Sequence, residues 1–313
     1  MDITIPFIPA NFYAKPFPFL VVDNHTEFGD PRVEGRAYPD FRVGLSLENL
    51  VPLACYTVLW YSLNLTANIY CWTSWKKGLR RRRLVNLTTS LTHSVICGVF
   101  LFLYLCRNTR LMFASPFHYY SFPELQIVLI SMGYFIYDAI DVVINDIWNV
   151  GNVVLMVHHV ACVIFLSIVV SSHKYLLYAY WALMMEVSSI FLHCRAILNQ
   201  SKLSTTSMIG LYKVLSYVNI VAFVPFRFLI QAFLALWTYV NMYNLHLFFL
   251  SMSVLCTICF LATNCALFLR LLHSDGFLCP HVSKEQLGSF GEDVEYEEVE
   301  RMEELSAEKS FMP

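Results

Sequence analysis

Residues 152–170 read NVVLMVHHVACVIFLSIVV, and this stretch decides the class of the protein. Its length is close to the ~20 apolar residues that an α-helix needs to cross a bilayer. Two adjacent histidines, His158 and His159, interrupt the apolar run. Ionisable side chains at membrane depth cost free energy, so they are rare, usually face a bundle interior and are candidates for function. We therefore predict a transmembrane helix that carries part of a functional site.

The composition of the whole chain supports a membrane protein. Hydrophobic residues make up 57% and charged residues 14%, against roughly half and a quarter in soluble globular chains. The near-neutral net charge of −2 argues against a nucleic-acid partner, because a binding face would show a clustered basic excess. We predict an all-α, polytopic transmembrane helix bundle with spans near 45–70, 84–106, 123–145, 152–170, 175–198, 208–236 and 245–272.

Basic residues predict the orientation of the chain in the membrane. The densest basic cluster, at residues 76–83, lies between the first two spans, and such clusters favour the cytoplasmic side. This places the N-terminus outside and, after seven crossings, the C-terminus inside. Arg107 and Arg110 argue against this orientation, because they add positive charge to the next outer loop.

The sequence predicts four segments along the chain. They are an irregular outer tail at 1–44, a first transmembrane helix at 45–75, a helical membrane domain at 84–272 and an acidic cytoplasmic tail at 273–313. In the outer tail, Asn24 with Thr26 forms an N-glycosylation sequon. An unused sequon explains this pattern equally well.

The depth of the polar residues predicts one specific contact. His158 and His159 lie six or seven residues from the cytoplasmic end of their helix, which is roughly 10 Å at ~1.5 Å per residue. Asp138 lies seven residues from the end of the preceding helix, at nearly the same depth. The short connection at 146–151 makes the two helices antiparallel neighbours. We therefore expect Asp138 to meet one of the two histidines.

Several spans carry polar residues at helical spacing, which puts them on one face of each helix. If these faces turn inward, they line a polar cavity that opens toward the cytoplasmic half. We predict His158, His159 and Asp138 as candidate catalytic residues. Candidate lipid- or cavity-binding residues are His93, Tyr134, Asp141, Glu186, Ser189 and Arg227. Further polar residues on the same faces are Asn145, His193, Lys213 and Tyr217.

Structural roles compete with these functional ones. Two structural histidines would each contribute of order 1 kcal/mol through hydrogen bonds between helices. Adjacent residues point about 100° apart on a helix, so at most one of the pair aims at the bundle centre. The pair also lacks the i, i+4 spacing of a zinc-binding helix, and we predict no metal. Arg227 is explained equally well by snorkelling toward the headgroups.

Short motifs in the chain together resemble one known family. They are Leu84-Val85-Asn86-Leu87, His93-Ser94, Gly98, Gly133 through Asp138, Asp141-Val142, His158-His159, Glu186-Val187-Ser188 and Arg227. In their order and spacing they are similar to the TRAM/Lag/CLN homology (TLC) domain, in the branch that includes calfacilitin. The resemblance covers about residues 84–272 and implies six membrane helices preceded by one further span. The segment Cys279-Pro280-His281-Val282, which follows, is also similar to that branch.

For this branch, the resemblance implies a role in setting the acyl composition of membrane phospholipids. Such a protein limits polyunsaturated phospholipids and keeps the bilayer less fluid. We accordingly expect a multi-pass protein of the plasma membrane, with the endoplasmic reticulum membrane as the alternative. Its expected partners are phospholipids or acyl chains, no cofactor is expected, and the protein is expected to regulate rather than catalyse.

Two other functions stay open. Ceramide synthases share the domain and use the equivalent histidine pair to transfer an acyl group from acyl-CoA, so a membrane acyltransferase is the first alternative. His158 or His159, oriented by Asp138, would then serve as the base, with acyl-CoA as co-substrate. The paired aspartates of those enzymes are replaced here by Glu186 and Ser189, which argues against a sphingoid acceptor. A calcium-channel accessory protein is the other alternative, and no residue supports it directly.

Overall fold

The structure is a computed structural model that describes residues 38–75, 78–145, 150–204 and 207–274. The sequon at Asn24, most of the predicted outer tail and nearly all of the acidic tail lie outside these ranges. Within them, seven helical segments are long and apolar enough to cross a membrane. This confirms the predicted all-α transmembrane bundle.

The described helices follow one another with short connections. The bounds are α1 Phe41–Gly44, α2 Leu47–Tyr70, α3 Leu79–Arg107, α4 Thr109–Ala114, α5 Phe122–Asn145, α6 Val150–Ser172, α7 Leu176–Leu183, α8 Glu186–Gln200, α9 Ile209–Phe223, π Val224–Leu229, α10 Ile230–Val240 and α11 Leu247–Ser274. Spans 1, 2, 3, 4 and 7 are the single helices α2, α3, α5, α6 and α11. Span 5 combines α7 and α8, and span 6 combines α9, the π-helical segment and α10.

Spans 2 to 7 close into a ring. Span 2 packs against span 3, span 3 against span 4, span 4 against span 7, span 7 against span 6, span 6 against span 5, and span 5 returns to span 2. Span 1 stays outside this ring and packs against spans 2 and 3. The ring therefore has an interior to which six spans contribute, and the first span supports it from one side.

The outer surface of the ring is formed by apolar side chains, as a bilayer requires. Large hydrophobic side chains such as Leu103, Val221 and Ile258 are more than half exposed. Several polar side chains in the same spans are almost fully buried, among them His93, Asp138 and Asn264. Because hydrocarbon offers no hydrogen bonds, polar groups are stabilised only where they meet one another inside the bundle.

Two glycines bring neighbouring spans into backbone contact. A Cβ atom on Gly98 of span 2 would lie 3.0 Å from the backbone nitrogen of Val187 in span 5. A Cβ atom on Gly133 of span 3 would lie 3.1 Å from the backbone nitrogen of Thr57 in span 1. Small residues allow such close approach between membrane helices. Each glycine thus fixes one of the contacts that hold the bundle together.

Span 6 is irregular at Pro225, where the sequence predicts a kink. Pro225 lies in the π-helical segment Val224–Leu229, which also carries Arg227. A π segment has an extra residue in the turn, so it rotates the two flanking helices relative to each other. Lys213 and Tyr217 consequently lie on the exposed surface. The expectation that they share the inward face of Arg227 was wrong, and Ser216 and Asn219 are buried instead.

Candidate functional site

Asp138 and His159 meet inside the ring. The Nδ1 atom of His159 lies 3.2 Å from Oδ2 of Asp138, and the two side chains are 5% and 3% exposed. They come from spans 3 and 4, which are antiparallel neighbours as the short connection predicts. The predicted contact between Asp138 and one histidine of the pair is therefore present, and it selects His159. Among the described residues Nδ1 of His159 has no hydrogen-bond partner, so this contact is a close approach at ion-pair distance rather than a hydrogen bond.

His158 points in a different direction from its neighbour. It is half-buried, its Nε2 atom lies 3.6 Å from the Cys162 sulfur, and its ring packs edge-on against Phe260 of span 7 with centroids 5.4 Å apart. The His158 ring also meets Phe135 of span 3 edge-on at 6.4 Å, so His158 lies between spans 3 and 7, whereas His159 is the histidine that contacts Asp138. Consistent with the helical geometry of adjacent residues, the two histidines serve different parts of the interior.

His93 of span 2 lies at the centre of an aromatic stack. Its ring is parallel to that of Tyr134 at a centroid distance of 4.0 Å, and Trp60 of span 1 packs against it edge-on at 5.5 Å. The side chain is fully buried, and within the described part of the chain neither ring nitrogen has a hydrogen-bond partner. The carboxylate of Glu186 lies 3.8 Å from Nδ1. His93 is therefore held by rings on two sides and faces an acid on a third.

Glu186 is the first residue of α8, directly after a break in span 5 at Met184 and Met185. Its Oε2 atom accepts a hydrogen bond of 2.5 Å from the hydroxyl of Ser94 in span 2. A carboxylate at a helix N-terminus is favoured by the helix dipole. The backbone contact at Gly98, one turn from Ser94, brings span 2 close enough for this bond.

Arg227 is the centre of a second polar group on spans 5, 6 and 7. Its Nε donates to Ser188 at 2.7 Å, Nη2 donates to Ser189 at 2.8 Å and Nη1 donates to Asn264 at 2.8 Å. Asn264 in turn donates to Gln231 at 2.9 Å. The guanidinium is buried, so Arg227 does not snorkel to the membrane surface.

The remaining candidates take different positions. Asp141 is half-buried near the C-terminal end of span 3 and accepts a hydrogen bond of 2.9 Å from the exposed Asn145. His193 is half-buried on span 5. The other candidates lie inside the bundle. Asp138 contacts His159, His93 stacks on Tyr134 and faces Glu186, and Arg227 binds Ser189. His158 is half-buried.

A small cavity of about 20 Å³ lies beside the polar side chains, and the apolar side chains of Phe165, Leu234 and Phe260 are among its walls. Its lining also includes Gln231, which belongs to the Arg227 group, and Met185 at the break in span 5. Among the described residues, no three His, Cys, Asp or Glu side chains are placed to bind a metal ion.

Several residues of the site were not among the predicted candidates, although Ser94 and Ser188 lie in the motifs that carry the family resemblance. Trp60, Ser94, Ser188 and Asn264 each contact a predicted candidate. Serine and asparagine are common in membrane helices, so their types alone gave no signal. Spacing offered a partial one, because Ser94 follows His93 and Ser188 precedes Ser189 directly.

Sequence comparisons align the membrane-spanning region with known proteins. The TLC domain pattern matches residues 83–273. The chain is 33% identical over 190 residues to TLC domain-containing protein 2 of Danio rerio, covering 61% of this chain and 75% of that protein. It is 32% identical over 214 residues to TLC domain-containing protein 1 of Gallus gallus, covering 68% and 79%. The human TLC domain-containing protein 1 is 32% identical over 211 residues, covering 66% and 81%. No solved structure matches.

Proposed function

Because this chain belongs to the TLC domain family, we propose that it regulates the acyl composition of membrane phospholipids and thereby membrane fluidity. In this proposal it limits the share of polyunsaturated chains by binding phospholipid or acyl chains at the polar interior of the ring. The plasma membrane is the proposed location, with the endoplasmic reticulum membrane as the alternative.

One observation carries this proposal: polar side chains of all six ring spans are turned toward the interior. His93, Asp138, His159, Glu186, Arg227 and Asn264 each come from a different span. Burying so many polar groups within hydrocarbon costs free energy, so a merely structural bundle gains little from them. Their position beside an apolar cavity suits a ligand that has both a polar head and an apolar chain.

The test is a lipid measurement in cells that lack the protein. We expect wild-type protein to lower the fraction of polyunsaturated phospholipids, whereas His158→Ala combined with His159→Ala fails to do so. The matched control replaces two exposed histidines, His246→Ala with His273→Ala, and should rescue like wild type. Full rescue by the His158/His159 variant at equal membrane abundance would show that the pair is structural and would remove the proposal.

A second function, acyl transfer from acyl-CoA, is favoured by the Asp138–His159 contact. A carboxylate that holds one imidazole nitrogen orients the other as a general base. In such a reaction the base removes a proton from a hydroxyl or amine, which attacks the thioester carbonyl and releases the CoA thiol. Membranes containing wild-type protein would then transfer labelled acyl groups from acyl-CoA to an added lysophospholipid. If transfer is equal with Asp138→Asn, this function is excluded.

A further inference from the structure

Positive charge is concentrated at the start of span 2. Residues 80–83 are four consecutive arginines in the opening turns of α3, the first turn contains no acidic residue, and the N-cap is Gly78, which makes no side-chain cap. A helix N-terminus carries partial positive charge, so cations there cost free energy. Membrane orientation alone requires only basic residues near the span. Four arginines on the helix itself break this local rule, and such departures are typical of functional positions.

Two of these arginines have donors that the described residues do not use. Nη2 of Arg81 donates to the backbone oxygen of Asn68, near the end of span 1, at 2.6 Å. Arg82 is exposed, and the described part of the chain gives it neither a hydrogen bond nor an ion pair. Because a guanidinium has five N–H donors, both side chains can bind an acceptor outside the protein.

Two tryptophans hold the turn between spans 1 and 2 in place. Trp72 has a φ of 56°, which is unfavourable for a bulky residue, and its Nε1 donates to the hydroxyl of Thr88 at 3.0 Å. The guanidinium carbon of Arg80 lies 5.9 Å from the ring centroid of Trp75. Strained conformations persist where their surroundings fix them, often beside a ligand. Since tryptophans are enriched where a membrane meets water, this turn holds the arginines at the level of lipid headgroups.

The adjacent end of span 1 has an apolar surface for lipid chains. Leu65, Ile69 and Tyr70 are 42%, 62% and 77% exposed, and they lie within one turn of Asn68, which binds Arg81. A ligand with an anionic head and apolar chains can contact both the arginines and this surface. A small soluble anion would leave the surface uncovered. The surroundings therefore favour a phospholipid over free phosphate.

We propose that residues 80–83 bind the headgroup of an anionic phospholipid such as phosphatidylserine. Guanidinium groups bind phosphate and carboxylate oxygens through paired hydrogen bonds, and basic clusters next to a membrane helix attract anionic lipids. A zwitterionic headgroup brings no net charge to neutralise the arginines. The site lies at the start of span 2, outside the polar interior of the ring, so it goes beyond the proposed function.

The test measures lipid binding to purified full-length protein in detergent by native mass spectrometry. We expect dioleoyl phosphatidylserine to bind about tenfold more tightly than dioleoyl phosphatidylcholine, since each arginine near the surface strengthens binding of anionic lipid several-fold. Arg81→Gln with Arg82→Gln should abolish this preference. The matched control, Arg107→Gln with Arg110→Gln, removes the same charge from exposed arginines near the other end of span 2 and should keep it.

Two further arms keep the test decisive. Arg81→Lys with Arg82→Lys preserves the charge that orients the chain, yet an ammonium group cannot form paired hydrogen bonds. This variant should bind phosphatidylserine more weakly than wild type, which covers the case in which the Gln variant does not fold. Glycerophosphoserine, the soluble headgroup, should not displace the lipid at equal concentration. Equal affinity for the two lipids, equal binding by wild type and a folded arginine variant, or displacement by glycerophosphoserine would overturn the inference.

The acidic tail of this chain is the competing occupant. A full-length variant with Glu297→Gln, Glu298→Gln and Glu303→Gln removes negative charge from that tail and should prefer phosphatidylserine as wild type does. A preference that appears only in this variant would assign the arginines to the tail and overturn the inference.

Discussion

Trp60 contributes to the site although its helix lies outside the ring. The indole is 1% exposed, packs against His93 and Tyr134, and donates a hydrogen bond of 3.0 Å to the backbone oxygen of Ile130. It closes the side of the polar interior that faces span 1. At the residue scale, the first span is thus part of the site and not merely an anchor that precedes it.

This position makes Trp60 sensitive to truncation. We expect Trp60→Ala to lower the free energy of unfolding by about 2 kcal/mol, because it leaves a cavity and removes dispersion contacts, while the apolar transfer term is small in lipid. Trp60→Phe should lose less. The measurement is thermal unfolding of purified protein in detergent. The neighbouring Tyr61 is 55% exposed, and Tyr61→Ala is the matched control. Equal melting temperatures for Trp60→Ala and Tyr61→Ala would contradict this role.

Single residues also show how far the sequence predicts the site. The contact of Asp138 with one histidine followed from helix depth and a short connection, both of which are local properties. The contacts of Arg227 did not, because Ser188 and Asn264 lie on spans that are distant in sequence. Which spans become neighbours in a ring depends on packing over the whole bundle, and hydropathy does not record it.

At the scale of elements, apolar length predicted the seven spans within a few residues. The break in span 5 was missed, whereas Pro225 predicts a kink in span 6. The break in span 5 and the π segment of span 6 are both compatible with continuous apolar sequence, since lipid selects for hydrophobicity and not for helix type. Pro225 was a signal for the second irregularity, but its residue type does not distinguish a kink from a π segment. The resulting rotation misplaced Lys213 and Tyr217 in the sequence-based interpretation.

The contact of spans 2 and 5 depends on Gly98. Gly98→Ala puts a Cβ atom 3.0 Å from the backbone nitrogen of Val187, so the helices must separate. We expect a loss of about 1–3 kcal/mol in unfolding free energy, typical of overpacking. Nothing lies within 4 Å of a Cβ atom on Gly210, so Gly210→Ala should be neutral or slightly stabilising. Thermal unfolding of both variants checks this, and a stable Gly98→Ala would show that the backbone contact is not needed.

At the scale of the whole molecule, the ring separates two environments. Its outer surface is apolar and its interior gathers the titratable groups of distant spans. The orientation of the chain decides from which side of the membrane a ligand can reach this interior, because one end of the ring faces the cytoplasm and the other faces the outside. Orientation is predicted from the basic cluster at residues 76–83.

Glycosylation provides a direct test of this orientation. If the N-terminus lies outside, Asn24 enters the lumen of the secretory pathway, where its sequon can be modified. We expect treatment with an N-glycosidase to increase the gel mobility of wild-type protein from human cells but not of Asn24→Gln. A mobility shift in neither protein leaves the orientation to be measured by antibody access to tags at each end. A tag at the N-terminus that is reached only after permeabilisation would contradict the prediction.

The central claim is that the polar interior of the ring performs the function. Asp138 and Asp141 lie one turn apart on span 3, yet Asp138 is 2% exposed and contacts His159 while Asp141 is half-buried near the C-terminal end of the helix. The most direct measurement compares phospholipid composition in cells lacking the protein after rescue with Asp138→Asn or Asp141→Asn at equal membrane abundance. We predict that Asp141→Asn restores the low polyunsaturated fraction and Asp138→Asn does not. Equal rescue by the two variants would contradict the account.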